Sequence, residues 1–245
     1  MNRRSAYVSL VVALLGVLAA CSSPFAFHGS GRELISPDEV VDFDLLFGQN
    51  CAGCHGVNGR GGAAFALANP VFLAIADDAV IRRTAANGVP GTLMPAFARS
   101  AGGVLTDRQI EVLVQGIRSW ANPAALGSQT PPPYSATAPG DPQRGAAVYR
   151  TYCSSCHGAD GRGGNKASSI IGDSYLALIS DQQLRTIVIA GRPELGAPDW
   201  RSDVVGQPLP DQSISDVVAW LSAQRPKFPG RPDQLASENS DGGSR

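Results

Sequence analysis

The chain has 245 residues, of which 43% are hydrophobic and 17% are charged. This is the composition of a folded globular protein of one or two domains, which excludes a disordered chain. Lysine and arginine total 20 against 21 aspartate and glutamate residues, so there is no basic excess to bind phosphate backbones, and nucleic acid is not an expected partner.

The first twenty residues are typical of an export signal. Arg3 and Arg4 precede an apolar run over residues 6–20, which is shorter than the roughly 20 apolar residues that a membrane-spanning helix needs. We therefore expect residues 1–20 to be a signal peptide that is removed from an exported protein.

Cys21 follows this signal in the segment Leu18-Ala19-Ala20-Cys21, which resembles a bacterial lipobox. The resemblance implies cleavage before Cys21 and lipidation of its sulfur and of the new N-terminus. Plain signal cleavage, which leaves Cys21 as a free thiol, is the alternative. Buried acyl methylenes contribute about 0.8 kcal/mol each, so residues 21–36 would tether the protein to a membrane, facing the periplasm or the outer surface.

Two copies of one sequence unit follow the tether. Cys51-Ala52-Gly53-Cys54-His55 recurs as Cys153-Ser154-Ser155-Cys156-His157, and a Gly-Arg-Gly-Gly segment follows each copy. The stretch between the copies is rich in proline, which is typical of an extended spacer, so the two domains need not be rigidly packed. The predicted segments are a first domain at 37–120, a Pro-rich linker at 121–140, a second domain at 141–226 and a disordered tail at 227–245.

Each unit has a helical pattern, and no convincing alternating strand pattern occurs, so the predicted fold class is all-α. Ser36-Pro37 and Asp141-Pro142 each supply a cap residue and a proline at the first helical position. Each of these helices is expected to run directly into its cysteine motif. Thr106 and Asp211 are candidate caps of the closing helices. Middle helices are predicted around 79–86 and 182–190.

The Cys-x-x-Cys-His spacing suits covalent attachment of haem. Two thiols one short turn apart can reach the two vinyl groups of one porphyrin, while the next residue presents an imidazole to the iron. A redox dithiol would need a βαβ setting, a zinc site would usually need four Cys or His ligands from one neighbourhood, and a disulfide framework is a third alternative. Export favours haem, because bacteria attach c-type haem outside the cytoplasm.

Both units resemble class I cytochrome c domains, over about residues 37–120 and 141–226. The resemblance implies a wrap of about three to five helices around one haem c in each domain, with the first and last helices crossing. It implies that haem 1 is attached through Cys51 and Cys54 with His55 as proximal ligand, and haem 2 through Cys153 and Cys156 with His157 as proximal ligand.

In this family the crossing helices usually meet through a small residue on one helix and an aromatic residue on the other. In the second unit Gly145, with Tyr149 one turn on, can face Trp220. In the first unit the register places Phe43 at the glycine position and Gly116 at the tryptophan position, an exchange that preserves the summed volume. Ordinary core contacts of the aromatic residues are the alternative.

A methionine in a Met-Pro context supplies the distal sulfur in this family. Gly91–Phe97 contains Met94-Pro95, and Met94 is the only methionine besides Met1. A thioether is a soft, neutral ligand that favours Fe(II) and raises the potential. The resemblance therefore implies Met94 as the distal ligand of haem 1, and a gap-filling core residue is the alternative.

The matching segment of the second unit has Ala197 where the methionine is expected. Outside the haem motifs only Met1, Met94 and Cys21 carry sulfur, so haem 2 receives no thioether from its own domain. Three arrangements remain open: a five-coordinate or water-bound iron, a nitrogen or oxygen ligand, or a ligand from a partner protein. The spare histidine is His28 in the tether, and the weaker candidates are Lys166, Lys227 and Tyr175.

These features predict a membrane-tethered dihaem electron carrier whose partner is a redox protein or a respiratory complex. A haem 2 without a thioether would have a lower potential than haem 1, so electrons would flow from haem 2 to haem 1. The alternative is a haem enzyme, peroxidase-like or acting on a sulfur compound, at an open haem 2 iron. The second unit has no free histidine as a distal acid or base. Arg60 and Arg162 are candidate propionate partners or solvated loop charges.

Overall fold

A computed structural model of the chain describes residues 35–202, 204 and 206–226, and this part contains helices and no strands. The all-α prediction is confirmed. None of the described helices is both long enough and apolar enough to cross a bilayer. The predicted signal peptide, Cys21, His28 and Lys227 lie outside the described residues.

Five α-helices lie in residues 37–120, which we call the first half. They are α1 (Phe43–Asn50), α2 (Ala52–His55), α3 (Pro70–Ile75), α4 (Asp78–Asn87) and α5 (Asp107–Arg118). Single turns of 3₁₀ helix lie at Pro37–Glu39, Val57–Gly59 and Arg99–Ala101.

Residues 141–226, the second half, repeat this order of helices. They contain α6 (Pro142–Tyr152), α7 (Ser154–His157), α8 (Asp173–Ala177), α9 (Asp181–Ala190) and α10 (Asp211–Ser222). Further 3₁₀ turns lie at Pro123–Leu126 and Pro193–Leu195. The predicted middle helices are confirmed as α4 and α9, and both opening helices run into their cysteine motifs as expected.

Two of the predicted helix caps are confirmed. The Asp141 side chain accepts a hydrogen bond from the Arg144 amide at 2.9 Å, with Pro142 as the first helical residue. The Thr106 side chain caps α5 in a capping box with Gln109. In both caps a side-chain oxygen satisfies an amide that has no partner within the helix.

The predicted helix start at Ser36-Pro37 is wrong, because Pro37–Glu39 forms only a 3₁₀ turn and α1 begins at Phe43. The Gln109 side chain donates hydrogen bonds to the Pro37 carbonyl at 2.8 Å and to the Val40 carbonyl at 3.0 Å. These carbonyls are therefore bonded to α5 and not to a helix of their own. The cap of α1 is Asp42, whose carboxylate accepts from the Leu45 amide at 2.8 Å.

Asp211 is also not a cap, because it is the first residue of α10 and Pro210 occupies the cap position. Its carboxylate pairs with the buried Arg185 guanidinium and accepts a hydrogen bond from the Thr137 hydroxyl. The Asp211 carboxylate therefore bonds to residues outside its own helix.

The opening and closing helices of each half cross where a glycine on one helix meets a larger residue on the other. The glycine is on opposite helices in the two halves, as the sequence predicts. A Cβ atom on Gly116 would lie 2.0 Å from Cδ2 of Phe43, and one on Gly145 would lie 2.0 Å from the Asp216 carbonyl oxygen and 2.7 Å from Cβ of Trp220. Each crossing therefore needs a glycine, on the closing helix in the first half and on the opening helix in the second.

Aromatic rings fill the space beside each crossing. Tyr149 stacks on Trp220 with ring centroids 4.3 Å apart. In the first half Trp120 makes edge contacts with Phe43 at 5.3 Å and Phe47 at 5.0 Å. The repeat pattern does not indicate Trp120, because this residue follows the end of α5 and lies outside the register of the repeat.

The described residues from Pro37 to Pro226 form one compact unit, and the linker is part of it. The carbonyl of Pro133 accepts from Arg185 at 2.8 Å, and the carbonyl of Tyr134 accepts from Gln182 at 2.8 Å. Farther along, the Pro139 carbonyl accepts from Gln212 at 3.0 Å. The proline-rich spacer is therefore held along the second half by its backbone carbonyls, a feature that its composition does not reveal.

Asp216 is a buried carboxylate at the α6–α10 crossing, surrounded by donors. It accepts from Arg144 through Nε and Nη2, both at 2.8 Å, from the Asp141 amide at 2.8 Å and from Gln212 at 2.9 Å. The Arg144 guanidinium, with these other donors, lowers the pKa of Asp216 to about 2.

We expect D216N to lower the free energy of unfolding by about 2 kcal/mol at pH 7, since each unit of pKa difference corresponds to 1.36 kcal/mol. The difference in free energy of unfolding between the wild type and D216N should be full at pH values above the ordinary aspartate pKa. It should be lost as the pH falls through about 2. Urea unfolding at pH 7, 4 and 2, followed by circular dichroism, measures this. D38N, at an exposed ion pair with Arg99, is the control, and a pH-independent loss in D216N would contradict the assignment.

Candidate functional site

Both Cys-x-x-Cys-His segments fold in the same way. Cys51 ends α1 with φ/ψ of −120°/−38°, and Cys153 ends α6 with φ/ψ of −122°/−32°. The second cysteine and the histidine of each segment lie on a single helical turn, α2 or α7. All four thiols are free, so each half presents two thiols and an imidazole on adjoining turns.

Each of the two histidines is hydrogen-bonded to a backbone carbonyl in the loop that follows its motif. Nδ1 of His55 lies 2.7 Å from the Phe65 carbonyl oxygen, and Nδ1 of His157 lies 2.9 Å from the Ser168 carbonyl oxygen. A carbonyl only accepts, so Nδ1 carries a proton in both rings, and in the neutral imidazole the lone pair is then on Nε2. This is the tautomer in which an imidazole binds a metal.

Burial adjusts the protonation of these groups. It raises the pKa of both Cys51 and Cys153 to about 11, with the neighbouring cysteine of each motif contributing. It lowers the pKa of His55, which favours the neutral imidazole. A thioredoxin-like dithiol would need a βαβ setting, and the described residues contain no strands, so the motifs do not fit such a site. The donor set fits thioether attachment together with a neutral nitrogen ligand for haem.

The zinc alternative lacks a ligand set in the part of the chain that the structure describes. Within residues 35–202, 204 and 206–226, no three or more Cys, His, Asp or Glu side chains cluster to hold a metal ion. A structural zinc site needs four such ligands around one point.

The loops that contain Met94 and Ala197 have matching backbone hydrogen bonds. The Val89 amide donates to the Met94 carbonyl at 3.0 Å, and the Arg192 amide donates to the Ala197 carbonyl at 3.0 Å. In both halves this pair follows the positive-φ glycine that ends the preceding helix. The backbone therefore places Ala197 at the register of Met94, as the sequence predicts.

The other described candidates for the distal ligand of haem 2 are on segments other than the loop that contains Ala197. Lys166 is exposed in the loop after α7, and Tyr175 is 38% exposed on α8. Burial raises the pKa of Tyr175, and the nearby Arg192 partly offsets this. The remaining candidates, His28 and Lys227, lie outside the described residues. Of the two loop arginines, Arg60 is exposed and Arg162 pairs with Asp160 at 3.2 Å.

Sequence reasoning missed the groups that hold the histidines. Phe65 and Ser168 act through backbone carbonyls, which any residue type supplies, so no side-chain pattern could have indicated them. The sequence indicates Tyr149 only as a packing residue, whereas its hydroxyl donates to the Gly158 carbonyl beside His157. A buried tyrosine normally finds a hydrogen-bond partner, and this general expectation was the available signal.

Comparison with known proteins gives a consistent family. The model of the family described as "Cytochrome C oxidase, cbb3-type, subunit III" matches residues 41–115 and 140–221. Cbb3-type cytochrome c oxidase subunit CcoP of Azospirillum sp. (strain B510) is 32% identical over 150 residues, covering 52% of this chain and 46% of the relative. Subunit FixP of Azorhizobium caulinodans is 28% identical over 185 residues, covering 69% of this chain and 56% of the relative.

The chain thus spans about half the length of these curated relatives. Among solved structures, a chain of the reducing HAO-like protein complex of Kuenenia stuttgartiensis aligns with a TM-score of 0.43 and 19% identity, covering 78% of this chain and all of that one. The family model matches more than half of the present chain, in two separate segments. The chain therefore belongs to the cbb3-type cytochrome c oxidase subunit III family, as a tandem c-type cytochrome with two covalently bound haem c groups.

Proposed function

We propose that the chain is a membrane-tethered dihaem cytochrome c that transfers electrons between redox partners. The observation that carries this proposal is the repeated site, in which each Cys-x-x-Cys-His segment has its histidine Nδ1 bonded to a loop carbonyl. The relatives are named as subunits of a cbb3-type oxidase, which supports a respiratory complex as the partner.

The residues that would hold the two haem groups come from one motif in each half. The first site uses the thiols of Cys51 and Cys54 and the imidazole of His55, and the second uses Cys153, Cys156 and His157. When bound, haem supplies reversible one-electron chemistry at its iron.

Backbone contacts fix the orientation and the tautomer of the two histidines. The Phe65 and Ser168 carbonyls keep a proton on Nδ1 of each histidine, which fixes the ring orientation and the tautomer. Phe47 and Tyr149 are buried on the two helices that lead into the motifs, which limits the movement of those helix ends. A ligand set that does not rearrange favours rapid electron transfer.

The two sites differ on their distal side. Met94 carries a thioether, whereas the methyl side chain of Ala197, at the same backbone register, has no lone pair to donate. A thioether raises the potential of a haem with a histidine ligand. We infer that the first site has the higher potential and that electrons flow from the second site to the first.

The same asymmetry supports a second candidate function, a haem enzyme with an exchangeable position at the second site. A peroxidase-like or sulfur-compound reaction there would need a proton donor or acceptor close to the substrate. The single histidine that the structure describes in the second half is His157, whose Nδ1 is bonded to the Ser168 carbonyl. This arrangement favours the carrier.

The proposed location is outside the cytoplasm, on a membrane. The signal at residues 1–20 and the lipobox-like segment ending at Cys21 support an exported lipoprotein facing the periplasm or the outer surface. The family model matches 41–115 and 140–221, which supports domains at 37–120 and 141–226, separated by the linker at 121–140.

Redox titration of the full-length holoprotein tests this function. We expect two separate one-electron waves, reoxidation by a soluble one-electron acceptor, and no saturable consumption of hydrogen peroxide or thiosulfate. The matched control is a C153S/C156S variant, which should lose the lower-potential wave. Saturable turnover of either substrate would favour the enzyme, and two waves of equal potential would contradict the asymmetry.

A further inference from the structure

Asn69 is a buried amide, 4% exposed, that forms hydrogen bonds in two directions. Its Oδ1 accepts from the Val71 amide at 2.9 Å and the Phe72 amide at 3.2 Å, which caps the start of α3. Its Nδ2 donates to the Ala190 carbonyl at 3.0 Å, at the end of α9. One side chain of the first half therefore joins a helix start there to a helix end in the second half.

Ala190 directly precedes the loop that contains Ala197. The chain turns at Gly191, which has a φ of +66° and whose Cβ, if present, would lie 2.5 Å from the Pro198 carbonyl oxygen. The Arg192 amide then donates to the Ala197 carbonyl. Because the loop packs this closely on the end of α9, the position of the Ala190 carbonyl helps to set the position of the whole loop.

The second half does not make the equivalent contact to the first half. Gly172, at the position of Asn69 in the second half, caps α8 without a side-chain hydrogen bond. Asn87, which ends α4 as Ala190 ends α9, is exposed, whereas Ala190 is 1% exposed. The last carbonyls of a helix lack intrahelical partners, and a buried one needs a donor from elsewhere. Asn69 supplies that donor.

We propose that Asn69 is a positioning residue for the distal side of the second haem site, acting through the Ala190 carbonyl on residues 191–200. The proposal rests on the proposed function in one respect, namely that this loop faces the haem position left without a thioether. It makes the environment of the second site depend on a side chain of the first half.

The test compares N69D with the wild type as full-length holoproteins. Aspartate keeps the oxygen that caps α3, and it is as good a cap as asparagine, but it has no amide to donate to Ala190. N69S, which also caps well but is too short to span the contact, is the second variant. N122D makes the same chemical change at an exposed position in the linker and is the control.

Hydrogen exchange of the peptide covering residues 191–200 should accelerate roughly tenfold in N69D and N69S, which is the effect of losing one buried hydrogen bond. Exchange of residues 88–97, the corresponding loop of the first half, should not change. The midpoint potential of the second site and its rate of carbon monoxide binding should shift, while the potential of the first site stays constant. N122D should match the wild type in all these measurements.

Unchanged exchange and an unchanged second potential in both variants would overturn the proposal. Equal acceleration in residues 88–97 and 191–200 would also overturn it, since that result indicates general destabilisation. Failure of the wild type to bind carbon monoxide would instead contradict the open second site, and the exchange and potential measurements would still decide the role of Asn69.

Discussion

Replacing Met94 with leucine should give the first haem site the distal character of the second. Leucine has nearly the volume of methionine, so the fold should persist, but it has no sulfur to donate. We expect loss of the weak near-infrared band of a Met-ligated ferric haem, a new high-spin signal in electron paramagnetic resonance, and a fall in the midpoint potential by roughly 0.1 V or more, because axial ligands set haem potentials.

The reciprocal change, A197M, should move the second site toward the first. The hydrogen bonds from Val89 to Met94 and from Arg192 to Ala197 place the two residues at one register, so a methionine at 197 starts from the equivalent backbone position. We expect a second near-infrared band, a higher second potential and weaker carbon monoxide binding. A197L supplies similar bulk without sulfur and should block small ligands without raising the potential.

The pair of variants also separates the two candidate functions. If the second site only relays electrons, A197M should still support electron transfer to a physiological partner, whereas an enzymatic activity that needs an open iron should collapse. A wild-type spectrum with two equal Met-ligated haems, or an M94L spectrum identical to that of the wild type, would contradict the assignment of Met94.

Local sequence signals predicted most of the helices, and the errors came from long-range contacts. Thr106 and Asp141 cap helices as expected because a cap needs only the adjacent turn. The start at Ser36-Pro37 failed because Gln109 bonds to the carbonyls of that segment. Asp211 failed because its carboxylate is used by Arg185. Contacts between residues this far apart along the chain produce no periodic pattern in the sequence.

The candidate site shows the same division. The cysteine and histidine spacing is local, and so is the Met-Pro segment, which is why the sequence alone indicates both Cys-x-x-Cys-His sites and shows a methionine at the matching position of only one half. The carbonyls of Phe65 and Ser168 are backbone groups without a sequence signature. The bond from Asn69 to Ala190 depends on how the two halves pack together, and the repeat pattern does not describe that packing.

Replacement of Arg185 by methionine should strongly destabilise the protein, because several acceptors depend on this one buried guanidinium. Arg185 is 3% exposed, and it donates to the carbonyls of Pro133 at 2.8 Å and Tyr134 at 3.0 Å, to Ser215 at 3.3 Å and to the Asp211 carboxylate. Methionine preserves much of the volume but leaves these acceptors without that donor. Each buried acceptor left without a donor costs about 1–3 kcal/mol, so we expect R185M to lower the free energy of unfolding by several kcal/mol.

The repeat supplies the matched control for this effect. Arg82 lies on α4 where Arg185 lies on α9, and it pairs with Glu111, but its side chain is 45% exposed. An exposed ion pair is screened by solvent and contributes little, so R82M should change the free energy of unfolding far less than R185M in urea titrations. Amide hydrogen exchange of the linker residues 131–139 should also be faster in R185M than in the wild type, and unchanged in R82M. Equal losses in both variants would contradict the expected effect, because Arg185 is buried and has four acceptors whereas Arg82 is exposed and has one.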